Sequence, residues 1–174
     1  MYSGQVGKGP GGVHRVQVDI FAPIVPAVGL GGIALRQRLF DIQGTLVGLG
    51  RSKRGWCSMV GPFEARYYLG EGVVSFSVDV RNGKIFRVSA HPGYKGKLAN
   101  GLWIGMPVQE AVELQPDIFY SEVDQTLLSS LHPGVAIDVD NIDPSPEEVL
   151  SMEIQAISVY VPELDTPAGQ RGDW

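Results

Sequence analysis

Few residues in this chain have the types and spacing to do chemistry. Cys57 is the single cysteine, and His14, His91 and His132 are the three histidines. A cysteine beside a histidine is the smallest nucleophile and base pair. The setting Gly55-Trp56-Cys57-Ser58-Met59 matches no catalytic signature, and an isolated cysteine usually packs as a small hydrophobe. The tripeptide His-Pro-Gly occurs twice, at His91-Pro92-Gly93 and His132-Pro133-Gly134. Pro-Gly is turn chemistry, and no other ligand types stand at metal-site spacing around it. The sequence therefore predicts no catalytic residue, no metal ligand and no cofactor site.

The run Asp138-Val139-Asp140-Asn141-Ile142-Asp143, with Glu147 and Glu148 beyond it, invites a calcium reading. An EF-hand loop needs glycine at its sixth position and glutamate at its twelfth. Counted from Asp138 those positions are Asp143 and Val149, so the motif fails and a dense carboxylate surface is left. Arg51-Ser52-Lys53-Arg54 could touch phosphates while Trp56 stacks a base. A nucleic acid would, however, be repelled by the acidic remainder of the chain. The glycine-rich stretches carry neither a phosphate-loop Gly-Lys-Ser/Thr nor a dinucleotide fingerprint. Arg171-Gly172-Asp173 reads as a chance adhesion tripeptide in a polar tail.

The formal net charge of −5 conceals a division. Residues 1–97 carry thirteen Lys or Arg against five Asp or Glu, whereas residues 98–170 carry thirteen Asp or Glu and no Lys or Arg. Asymmetry of this kind points to an electrostatic partner. The plain alternative is that the two halves attract each other, or that acidic faces serve solubility.

At 174 residues the chain can bury a sizeable core. One cysteine excludes an intrachain disulfide and fits a reducing compartment. Residues 1–10 lack the apolar core of a secretory signal, and Pro23, Pro26, Gly29, Gly31 and Gly32 break the apolar stretch at 20–35. The expected address is the cytoplasm, and no membrane is expected as a partner.

The elements that must position any site come from periodicity. Residues 13–21 read as a half-buried strand on the alternation of Val16, Val18 and Ile20. Residues 33–43 read as a short extended piece turning into a helix, with Leu35, Leu39, Phe40 and Ile42 facing a core. Residues 65–69 and 73–80 read as strands, with Val74, Phe76, Val78 and Val80 on one buried face. Asn82-Gly83 predicts a two-residue hairpin turn into a strand at 85–90. Gly101-Leu102-Trp103-Ile104-Gly105-Met106 leads to Pro107, which presets the first turn of a helix over Val108, Ala111 and Val112 that Pro116 ends. Short strands at 118–120 and 126–128, a strand at 134–140, one helical turn near 146 and a last strand at 154–161 follow. Pro162 onward reads as tail.

The same order of elements occurs twice. Gly32-Ile33-Ala34-Leu35 corresponds to Gly101-Leu102-Trp103-Ile104, residues 74–79 to 135–140, and residues 85–89 to 154–158. The alternative is convergence, because helix-then-meander modules share a binary pattern. The expected fold class is α+β. Two similar modules, each a short helix followed by an antiparallel β-meander, form a sheet with helices on one face. The boundaries are a lead and strand at 1–28, a first module at 29–97, an acidic second module at 98–164 and a tail at 165–174.

The Gly-Leu-Trp-Ile-Gly-Met-Pro run, then a short helix, then strands ending in Ile-x-x-Ile-Ser-Val, resembles modules of the β-lactamase-inhibitor-protein-like group. Small outer-membrane assembly lipoproteins carry a similar motif. The run from about Gly101 to Val161 also resembles small bacterial immunity proteins that neutralise a cognate toxin. This resemblance implies a non-enzymatic binding scaffold.

The function expected is therefore a binding protein of immunity type whose acidic half covers a basic surface on a protein partner, such as a toxin domain. Asp138, Asp140, Asp143, Glu147 and Glu148 are the expected contacts, with Glu122 and Asp124 next. Tyr120 and Trp103 are possible anchors, each with a core role as the alternative. One rival class is an enzyme with a pocket between the modules that uses Cys57 or a histidine. Another is a structural protein in which the basic half of one chain docks on the acidic half of the next.

Overall fold

The computed structural model describes residues 18–42, 57–99, 101–140 and 144–174. Runs of alternating apolar and polar residues place successive side chains on opposite faces of a strand, and they set the architecture. A hairpin of β1 (Gly29–Leu30) and β2 (Ile33–Ala34) comes first. One larger antiparallel sheet follows, built from β3 (Cys57–Met59), β4 (Glu64–Leu69), β5 (Val74–Asp79), β6 (Lys84–Ala90), β7 (Ile118–Ser121), β8 (Thr126–Ser129), β9 (Val135–Val139) and β10 (Ile154–Tyr160). Their spatial order is β3-β4-β5-β6-β10-β9-β8-β7. Among the described residues the helices are short: α1 (Val108–Leu114), α2 (Pro146–Val149) and α3 (Pro167–Gln170). Turns of 3-10 helix lie at Leu39–Ile42, Gly70–Gly72 and Pro162–Asp165. The fold is α+β, with a mainly antiparallel sheet and little helix.

The apolar face of the sheet runs through Val74, Phe76 and Val78 of β5, Val88 and Ala90 of β6, Ile157 and Val159 of β10, and Val135 and Ile137 of β9. These residues form one cluster with Leu30 and Ile33 of the β1–β2 hairpin, Ile42, Val108 and Ala111 of α1, and Val149 of α2. Burying each such side chain is worth about 1.5–3 kcal/mol, so this face holds the fold together. The Tyr67 ring stacks on Phe76, with ring centroids 5.0 Å apart. On the opposite face the polar half of the alternation collects small residues at the sheet centre: Ser75, Ser77, Ser89 and Ser158.

The structure departs from the sequence expectations in several places. Of residues 33–43, Ile33–Ala34 are extended as expected, in β2, and Leu39–Ile42 form a 3-10 turn where an α-helix was expected; Gln43 lies outside the described residues. Gly31 and Gly32, at φ 61° and 85°, form the two-residue turn between β1 and β2, so the extended piece at Ile33 pairs back on Leu30 as a strand. A two-residue hairpin needs positive φ at both central positions. Asn82-Gly83 does not form one. Asp79 pairs with Lys84, so the loop has four residues, and Gly83 alone is left-handed at φ 72°. The Asp79 side chain holds this wider turn by accepting from the Arg81 backbone N–H.

Pro107 stands at the N-cap of α1 with an extended ψ of 135°, one residue before the helix it was expected to begin. It instead bridges Glu153 beside β10. Val80 lies outside β5 and is 47% exposed, while Ser75, Ser77 and Asp79 on the supposedly open face are buried. Residues 18–21 form no strand, and the 13–17 part of that expectation lies outside the described residues. Strand β3 at the sheet edge was not foreseen. The tail is folded back: Arg81 Nη1 donates to the Gln170 carbonyl at 2.6 Å, Asn82 Nδ2 to the Gly172 carbonyl at 3.1 Å, and Trp174 packs edge-on against Phe86.

Candidate functional site

The polar face gains shape from residue size. Ser89 and Ser158 face each other across the β6–β10 seam with their hydroxyl oxygens 2.8 Å apart. Two residues along, the same register sets Arg87 opposite Tyr160, with the guanidinium 5.4 Å from the ring centroid. Ala136 and Asp138 of β9 and Thr126 and Leu128 of β8 continue this face outward. Asp124 projects from the β7–β8 turn, and Leu164 of the folded-back tail closes one side. These residues surround a cleft of about 390 Å³, within the range of small-ligand pockets.

The charges in this cleft are unevenly served. The Thr126 hydroxyl lies 2.9 Å from Asp138 Oδ1 and 2.9 Å from the Ile137 carbonyl. Asp124 Oδ2 accepts from Ser121 Oγ at 2.7 Å. Arg87 forms no ion pair among the described residues, and its Nε is buried without a hydrogen-bond partner. Leaving a buried donor unmatched costs about 1–3 kcal/mol. A guanidinium thus faces two carboxylates across a gap it does not bridge.

Beyond the serines, His91 Nε2 lies 2.8 Å from Ser75 Oγ. Burial pushes the His91 pKa down and the nearby Arg66 adds to this, while Asp138 acts the other way. Arg66 is itself held by Glu64 at 2.8 Å, and Ser77 donates to the same carboxylate at 2.6 Å. A second, smaller cleft of about 260 Å³ lies by Phe63, Asp79, Arg81 and Phe86, again beside Leu164.

Of the seven expected contacts, the structure brings Asp138 and Asp124 together in the larger cleft. Glu122 is exposed in the same turn, and Asp140 is exposed just past β9. Asp143 lies outside the described residues. Glu147 is exposed on α2. Glu148 is occupied as a capping-box residue, with Oε2 accepting from the Ser145 backbone N–H at 2.9 Å and from the Ser145 hydroxyl at 2.9 Å. Those two bonds, the backbone one first, hold its pKa down. The two possible anchors are half-buried against the core, and Lys97 Nζ sits 4.6 Å from the Trp103 ring centroid.

Cys57 is exposed on the edge strand β3 opposite Tyr67; burial, then the thiol, push the Tyr67 pKa up. His14 lies outside the described residues. Among the described residues no three His, Cys, Asp or Glu side chains are grouped to hold a metal. No helix among them is long and apolar enough to cross a membrane.

Sequence reasoning missed Arg87, Tyr160, Thr126 and Leu164. The first two carried a readable signal: each occupies a polar slot of a strand whose alternate residues are core, two positions from a serine on the same face. No protein-family model and no curated protein sequence matches this chain. Among solved structures, the crystal structure of the uncharacterized protein YfeY from Escherichia coli is similar, with a TM-score of 0.52 and 11% identity. The match covers 80% of this chain and 99% of that one. At that identity the likeness speaks for the fold alone.

Proposed function

We propose that this chain is a non-enzymatic, cytoplasmic binding protein of immunity type, which takes a basic segment of a protein partner, such as a toxin domain, in the cleft on the polar face of its sheet. The observation that carries this reading is the convergence of Asp124 and Asp138, from two different elements, on one cleft of that face. Phe119 is exposed on the neighbouring edge strand β7 and pairs across the ladder with Leu128 of the cleft. It supplies an apolar rim next to the carboxylates. Charged groups around an apolar anchor favour fast, selective docking of an oppositely charged partner.

The same proposal reads the sheet as two copies of one module meeting at the β6–β10 seam. In its favour, β5 and β9 flank the seam at matching positions, and residues 74–79 and 135–140 are the stretches whose sequence patterns correspond. The strands of the two copies would then build one continuous face, with the site in the acidic copy and at its border.

A phage-displayed random peptide library panned on the purified protein tests this. Enriched peptides are expected to carry Lys or Arg beside apolar residues and to bind more weakly as salt rises. They are also expected to lose about tenfold in affinity, or about 1.4 kcal/mol, on Asp124→Asn or Asp138→Asn. Enrichment of peptides indifferent to salt and to both substitutions overturns the reading.

A further inference from the structure

Resting on that binding-face reading, we propose that the cleft between Arg87 and the Asp124–Asp138 pair is a site for a compact zwitterion. A carboxylate of the ligand meets Arg87, and a cationic nitrogen of the same unit meets Asp124 and Asp138. A basic amino acid satisfies this chemistry, either free or as the C-terminal residue of a peptide.

Three observations carry the argument. Arg87 stands without an ion pair among the described residues, its Nε buried and unmatched, so its charge is compensated only by the Tyr160 ring. A planar guanidinium of this kind binds carboxylates with two parallel hydrogen bonds. Across the cleft, Asp138 has one oxygen engaged by Thr126, and no hydrogen bond is made to its other oxygen among the described residues. Asp124 uses Oδ2 toward Ser121.

The cleft they line, about 390 Å³, suits an amino-acid-sized ligand. Leu128, Leu164 and Ala136 add apolar surface to its lining. A simple anion would meet the two carboxylates, and a simple cation would leave Arg87 unmatched. A ligand with both charges settles all three groups.

The test is an NMR titration of the intact chain with four probes: L-arginine, the tripeptide Gly-Gly-Arg, agmatine and N-acetylleucine. L-arginine or Gly-Gly-Arg is expected to saturate backbone signals of Thr126, Asp138 and Tyr160. The tighter of the two identifies free amino acid or peptide terminus as the source. Agmatine, which lacks the carboxylate, and N-acetylleucine, which lacks the cation, are expected to bind about tenfold more weakly. Arg87→Met is expected to reduce L-arginine to the level of agmatine and leave agmatine unchanged. Agmatine binding as tightly as L-arginine overturns the zwitterion site while leaving the basic-partner reading intact. No saturable shift with any probe also overturns it, and the display experiment then decides the wider reading separately.

Discussion

Asp79 and Arg87 sit on neighbouring strands of one sheet and have opposite surroundings. Asp79 is buried, and the chain supplies four donors to it. They are the Arg81 backbone N–H at 2.9 Å, Arg81 Nε at 2.8 Å, Arg81 Nη2 at 2.7 Å and Trp174 Nε1 at 3.2 Å. Burial alone would push its pKa up, but these bonds outweigh burial and hold it down. Arg87 has the face of Tyr160 and an unmatched Nε. A charge that the fold uses is saturated by the fold. A charge left open toward a cleft is available to something else.

The largest expected effect separates the two. Asp79→Ala strips three donors of Arg81 and the indole N–H of Trp174 of their acceptor and frees the folded-back tail, so unfolding in urea should show a loss of about 3 kcal/mol. Arg87→Met keeps the aliphatic packing and removes an unmatched donor. Its stability should stay within about 1 kcal/mol of the parent, with a gain as the favoured sign. Equal losses for both variants would break the contrast and make Arg87 a structural ion. The pH dependence follows the same logic. The folded Asp79 pKa is lowered, so its contribution is fully present above the unfolded value near about 3.9. It is lost as pH falls through the folded value, and Asp79→Ala should lack that part of the acid transition.

A smaller effect carries the comparison into the acidic half. Glu148 and Asp138 looked alike in sequence, yet Glu148 closes a capping box on α2 and Asp138 faces the cleft. Ser145→Ala should cost about 1 kcal/mol through the lost cap and leave peptide or zwitterion binding unchanged. Asp138→Asn should do the reverse, with binding lost and the thermal midpoint nearly constant. A binding defect in Ser145→Ala would place α2 within the interface.

Strand periodicity explains what was legible. Residues 65–69, 74–79, 85–90, 135–139 and 154–160 alternate or run apolar over five or more positions, and each is a strand. At Gly31-Gly32 a glycine pair set the chain direction, and a 3-10 turn stands at Leu39–Ile42 where an α-helix was expected. The cleft was legible by halves. Its carboxylates stood out because residues 98–170 contain no basic residue. Its arginine did not, because Arg87 lies in the basic half and comes to line the same cleft as Asp138 only through the non-local β6–β10–β9 pairing. The tail escaped for the same reason: the contacts of Trp174 with Asp79, Lys84 and Phe86 span about ninety residues and leave no local pattern.

The smallest expected effect reads the link between the cleft and the polar centre of the sheet. Burial, with Arg66, lowers the folded His91 pKa, while Asp138 partly offsets both. Because the unfolded histidine takes its proton near about 6.5, the His91 contribution is complete above that pH. It declines as pH falls from there through the folded value. Asp138→Asn removes the offset, so the His91 ring signals in an NMR titration should reach their midpoint at lower pH than in the parent. A bound cation beside Asp138 has the same sign, since it screens the same carboxylate. Saturating L-arginine should therefore move His91 in the direction of the Asp138→Asn variant and should move that variant little further. A His91 midpoint that ignores both would mean that the cleft and the serine-lined centre are electrically separate. The contrast between saturated and open charges would then end at Arg87.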